Sequence, residues 1–169
     1  TTSANSNSRS HRFDLATGAW SRLSTNAAGL TGFTAIRDAV ANRIYLLPSE
    51  IHAVHELSWL DGADWTWKTT SFSGWPATDG NNNTSFIEPN AHVLVMLSST
   101  QHLRAIELDA VATGVHQLNV TGTLPTFNNT RWERDPSTGA FYTSSGSGQT
   151  LYKLTPPATN PLTNPWIVS

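Results

Sequence analysis

The chain has 169 residues, of which 38% are hydrophobic and only 13% charged, with a formal net charge of -2 and no cysteine. This length supports one core. The missing cysteine excludes a disulfide framework, a zinc-thiolate site and a thiol nucleophile, and without a Lys/Arg cluster there is no electrostatic footprint for nucleic acid or anionic lipid. No apolar run approaches the roughly 20 residues of a membrane span.

Abundant Ser, Thr, Asn and Gly on a weakly ionic chain fit an exported protein, extracellular or periplasmic. The start at Thr1 without a leader fits a processed protein or an excised piece. Sequons at Asn82, Asn83, Asn119 and Asn128 are acceptors only in that setting, and a chain this rich in Asn and Thr makes several by chance.

Residues 1–10 show no periodicity and read as a flexible lead-in. In residues 11–31, H-R-F-D-L alternates, Ala16-Thr17-Gly18 turns, and A-W-S-R-L alternates again, which predicts a two-stranded hairpin followed by a loop. Residues 32–83 hold a first full unit with strands at 32–38, 43–47, 52–58 and 65–70 and a closing loop at 71–83. Residues 84–129 repeat the plan at 84–88, 92–97, 102–108 and 115–120. Residues 130–169 repeat it again at 130–134, 140–144, 150–154 and 166–168. Asp135-Pro136-Ser137-Thr138-Gly139 is the strongest turn, because Pro presets φ and Gly139 accepts a positive φ. No segment sustains a 3.6-residue apolar period, so helix is not expected.

Leu15, Leu57, Leu108 and Leu154 recur in the third strand of each unit at separations of 42, 51 and 46 residues. Four strands repeating at about 40–50 residues predict an all-β fold. The expected form is a β-propeller arc of three four-stranded antiparallel blades plus a two-stranded half blade. V-L-V-M-L at 93–97 is apolar on both faces, as a strand sandwiched between blades must be. A β-sandwich explains the strands but not the repeating order.

The run H-R-F-D-L-A-T-G-A-W at 11–20 and the run N-R-I-Y-L-L-P-S at 42–49 resemble the kelch-like, galactose-oxidase-like blade. In that blade an aromatic on the third strand, a hairpin turn and a Trp opening the fourth strand recur together. Trp20, Trp67 and Trp166 match the blade Trp, while the usual Gly-Gly pair is replaced by Pro48-Ser49, Ser98-Ser99 and Ser145-Gly146. The resemblance implies a partial ring, completed by another chain or by residues outside this sequence. The copper site of galactose oxidase needs a cysteine-linked tyrosine, which this chain cannot form, and no cofactor is expected.

In propellers, ligands meet the loops at one channel mouth. The candidate ligand-binding residues on those loops are Trp75, Asp79, Asn82, Glu50, Gln101, Phe127 and Arg131. An exposed Trp75 beside amides suits a sugar, whose ring face stacks while its hydroxyls are hydrogen-bonded. The other reading folds Trp75 back onto its blade and makes Asp79 part of a turn. Glu88 and Glu133, with Arg131, are candidate catalytic residues for glycoside chemistry if both carboxylates reach the channel. Pairing of those carboxylates with Arg37, Arg131 and Arg134 is the alternative. His52 and His55 point to opposite faces of one strand, and His92, His102 and His116 meet only across strands, so no metal site is expected. No reaction is named by any motif. The expected role is a binding or scaffolding module for carbohydrate or protein, with a carbohydrate-active enzyme or a self-associating building block as alternatives.

Overall fold

The computed structural model describes residues 11–23, 33–48, 56–76, 79, 82–98, 100–125, 131–144 and 150–169. Its first element is a hairpin of β1 (His11–Phe13) and β2 (Trp20–Arg22). The first sheet follows as β3 (Phe33–Asp38), β4 (Arg43–Pro48), β5 (Glu56–Asp61) and β6 (Trp67–Ser71). A middle sheet comprises β7 (Asn82–Glu88), β8 (Val93–Ser98), β9 (Leu103–Glu107) and β10 (Val115–Gln117). After β11 (Val120–Thr121), the last sheet is built from β12 (Glu133–Arg134), β13 (Phe141–Ser144), β14 (Leu151–Thr155) and β15 (Trp166–Val168). Spatial order follows chain order in every sheet, because the connections between neighbouring strands suit antiparallel returns. The single departure from this order is β11, which pairs in parallel with the outer edge of β15. The expected all-β architecture of three four-stranded antiparallel sheets plus a hairpin is therefore present, as an open arc and not a closed barrel among the described residues. The one described helical piece beside an isolated turn residue is a 3-10 turn at Val111–Thr113.

One turn design builds five of the hairpins. An acidic residue ends the incoming strand at Asp14, Asp38, Asp61, Glu88 and Asp135, and its carboxylate accepts a backbone N–H two or three residues on. The fourth residue after it lies at positive φ: Gly18 (69°), Asn42 (53°), Trp65 (57°), His92 (51°) and Gly139 (74°). The carboxylate satisfies donors that a tight turn would otherwise strand, and the left-handed residue brings the chain back beside itself. At Asp135 the hydroxyls of Ser137 and Thr138 add to the backbone bond and hold the carboxyl pKa down at about 2.

The core lies on both faces of the middle sheet. Along β8, Leu94 and Met96 point one way and join Tyr45, Leu47, Leu57, Phe72 and Trp75 of the first unit. Val93, Val95 and Leu97 point the other way and join Trp132, Phe141, Leu154 and Trp166 of the last. This is the two-residue strand period with both sets buried. Each fully buried Leu or Val is worth about 1.5–3 kcal/mol.

The blade tryptophans open fourth strands β2, β6 and β15, but they serve differently. Trp166 is fully buried and donates its indole N–H to the Pro161 carbonyl at 2.8 Å. Trp20 stays 71% exposed against Phe13. Two sequence expectations need correction. Leu15 does not share the place of Leu57, Leu108 and Leu154, since it sits in the β1–β2 turn, 90% exposed, while the other three are buried. The strand expected at 115–120 breaks after Gln117, because Val120 and Thr121 leave the middle sheet for β15.

Candidate functional site

Strands β3, β7 and β12 each form an edge of their sheet, and residues of all three come together around one space. Between them runs a cleft of about 410 Å³, lined among others by Thr34, Arg37, Ser85, Arg131, Glu133 and Arg134. An edge strand has no ladder partner on its outer side, so the walls offer backbone donors and acceptors together with these side chains. Three arginines and one glutamate are among its lining residues, in a chain whose net charge is -2. Among the described residues the ion pairs lie elsewhere, and none joins Arg37, Arg131 or Arg134 to Glu133 or Glu88.

The other sequence candidates are scattered. Trp75 is 5% exposed, folded back between the first and middle sheets. Its segment is fixed by the Val115 N–H, which donates to the Ser73 carbonyl at 2.9 Å. The sugar-stacking reading required an exposed ring, and burial of this one removes that surface. Asp79 is 1% exposed and binds the middle sheet: one oxygen accepts from Arg104 Nε, the other lies 2.9 Å from His102 Nδ1. Arg104 in turn donates from Nη1 to Gln117 Oε1 at 2.9 Å. Burial pushes the Asp79 carboxyl up, but the bonds from Arg104 and His102 outweigh it and hold the pKa below the usual range. Gln101 is exposed at positive φ and lines a separate cavity with 117–120 and 122–124. Asn82 opens β7, where its side chain lies outside the described residues, as do Glu50 and Phe127.

The two carboxylates expected at the channel do not share a cavity. Glu133 lines the cleft, whereas Glu88 is 3% exposed at the end of β7, in the turn at the foot of the sheet, and borders a different pocket. The cause is the turn design, which uses Glu88 to accept the Ala91 N–H at 2.7 Å.

Three described histidines meet a carboxylate, His92 and His102 one from a distant part of the chain and His116 one on the neighbouring strand, and sequence reading missed these pairings. His92 lies between Asp38 Oδ2, 2.8 Å from Nε2, and Asp109 Oδ1, 2.8 Å from Nδ1. Acceptors at both ring nitrogens call for a proton on each, the imidazolium form. Burial pushes the His92 pKa down, and the two aspartates more than reverse this, leaving it raised. His116 Nε2 stands 3.2 Å from Glu107. Among the described residues no group of three His, Asp or Glu side chains is placed to hold a metal ion, and no helix is long and apolar enough to cross a membrane. His52 and His55 lie outside the described residues.

No protein-family model and no curated protein matches the sequence. Solved structures do resemble it. A structural genomics protein of unknown function from Bacteroides thetaiotaomicron matches at a TM-score of 0.59 and 18% identity, over 88% of this chain and 36% of that one. The extracellular domain of a putative one-component system from the same organism matches at 0.51 and 13%, over 89% of this chain and 19% of that one. The major allergen Mala s 1 of Malassezia sympodialis matches at 0.54 and 10%, over 83% and 41%. This chain thus spans less than half the length of each. At these identities the likeness is one of fold: an all-β arrangement of several antiparallel sheets.

Proposed function

We propose that the chain is part of a kelch-like β-propeller of an exported protein and acts as a binding or scaffolding module. Its ligand surface is the cleft along β3, β7 and β12, where Arg37, Arg131 and Arg134 lack carboxylate partners among the described residues. That excess of guanidinium is the observation that carries the reading. Guanidiniums bind carboxylates through paired N–H bonds, so the cleft favours a carbohydrate or protein segment that carries acidic groups. Export is supported by the low charge of the chain and by the extracellular neighbour among its structural relatives. The separate positions of Glu88 and Glu133 give glycoside catalysis no support.

A glycan array that includes uronate-containing saccharides, read beside acidic peptides, tests the reading. Arg131→Ala should weaken any hit at least tenfold, with the variant unfolding like the parent chain. Binding unchanged by both Arg131→Ala and Arg37→Ala would reject the cleft.

A second reading has its own observation. The hairpin leaves Phe13, Leu15 and Trp20 at 43%, 90% and 71% exposure, and the last sheet leaves Leu151 and Ile167 at 68% and 51%. Apolar surface at both ends of an arc supports completion of a ring by further blades, from another chain or from a longer polypeptide.

A further inference from the structure

The foot of the arc, where the carboxylate turns gather, contains two seams built on one plan. Asp38 ends β3 and Glu88 ends β7, so they are equivalent. Each faces the turn that joins the first two strands of the next sheet. At the first seam the left-handed residue of that turn is His92, whose ring fills the space and bonds to Asp38. At the second seam the residue in the same place is Gly139, which brings no side chain.

The third partner is also replaced. The His92 carbonyl accepts the Leu108 N–H, which places Asp109 against the ring. In the last sheet Phe141 pairs with Leu154, and continuing that register sets Gly139 against Pro156, with Pro157 where Asp109 stands. The carboxylate is kept, while the imidazole and the second acid are gone.

What remains is a cavity of about 360 Å³ lined by Glu88, Asn90, Gly139, Pro156, Pro157 and Pro161, among others. Glu88 is 3% exposed; its Oε2 accepts the Ala91 N–H, but its Oε1 is buried without a hydrogen-bond partner among the described residues. A buried carboxylate oxygen left unsatisfied is costly, and such atoms are few in folded proteins. The cavity has room for far more than one water. With a single carboxylate it offers a metal ion too few ligands, whereas an N–H cation needs only one strong acceptor and apolar walls, which the prolines supply.

We propose that this cavity is a binding site for a small organic cation bearing N–H groups, an imidazolium or the ammonium end of a ligand side chain, held by Glu88 Oε1. The site borders the arginine-bearing cleft, since Arg134 Nη2 lies 3.6 Å from where a Cβ at Gly139 would stand, but the group that holds its ligand is Glu88 and not the cleft arginines.

Imidazolium chloride is the probe, titrated into the isotopically labelled 169-residue chain at pH 6 with sodium chloride as the ionic-strength control. Saturable shifts of the Ala91 and Gly139 amides are expected at about millimolar ligand. Glu88→Gln keeps an oxygen for the Ala91 N–H and should weaken binding at least tenfold. Gly139→His should fill the cavity with its own ring, abolish the response and raise the unfolding midpoint, and the gain should vanish when Glu88→Gln is added. A Cβ at 139 meets only Arg134 Nη2 at 3.6 Å, and His92 already adopts the same positive φ, so the variant can fold. Shifts that do not saturate, an equal response in Glu88→Gln, or a folded Gly139→His that still binds imidazolium like the parent would each overturn the proposal.

Discussion

The two seams that flank the middle sheet are held in different ways. Between the first and middle sheets, the apolar cluster is clamped at both ends by buried charge: Asp79 with Arg104 and His102 at one end, Asp38 with His92 at the other. Between the middle and last sheets the corresponding hold is aromatic. Phe86 stacks at 4.1 Å from Phe141 and within 6.2 Å of Trp166, and Trp132 closes the cluster. The backbone adds the parallel β11–β15 pair, which ties the chain leaving the middle sheet to the last one. Repetition of a blade therefore does not require repetition of its glue. Charged clamps fix relative position and respond to pH, whereas aromatic packing supplies adhesion without that response.

Removing the aromatic hold should have the largest effect. Trp166→Ala deletes a fully buried ring and an indole bond, and a loss of about 4 kcal/mol is expected in urea unfolding. Next comes Asp79→Ala, which strands the buried Arg104 guanidinium and should cost about 3 kcal/mol. The double variant Asp79→Leu with Arg104→Met should lose less than the single one, since no charge is then left unpaired.

His92→Gln should be milder, about 1–2 kcal/mol at pH 6, almost all of it from Asp38 because Asp109 is exposed. Its sign depends on pH. The folded pKa of His92 is raised, so its contribution is complete below the unfolded value of about 6.5 and is lost as pH rises through the folded value. The gap between parent and His92→Gln should thus narrow in melts taken at pH 9. A gap of constant size would show that the ring acts by packing alone.

These differences between seams were only partly legible in the sequence. The unbroken apolar run V-L-V-M-L and the D-P-S-T-G turn disclosed the sheets, because both signals are local: a short buried strand and turn chemistry are each written in a few residues. The boundaries of β5 and β6 were less clear. The acidic turn at Asp61 sits deeper in S-W-L-D-G-A-D-W than its glycine suggests, and the strand read at 52–58 is seen as Glu56–Asp61, with 52–55 outside the described residues. β11 was missed because two residues carry no period and parallel pairing leaves no turn signal. Trp75 and Asp79 were correctly placed on the long interblade loop, yet their burial depends on partners such as Arg104, 25 residues from Asp79. The His92–Asp38 bond spans 54 residues. Contacts at that range are set by stacking of sheets, which a single sequence does not display. Arg131 and Glu133, two of the candidates read from the sequence, line the cleft along the edge strands, whereas the emptiness beside Glu88 shows only when the two seams are laid over each other.

Amide hydrogen exchange at pH 6 and pH 9, corrected for the intrinsic pH dependence, tests the contrast between the seams most directly. The foot of the first seam, the β3–β4 and β7–β8 turns, should lose protection at the higher pH, while β13, β14 and β15 keep theirs relative to it. Equal loss across both seams, or a greater loss in the last sheet, would contradict an account in which one seam is held by charge and the other by aromatic packing.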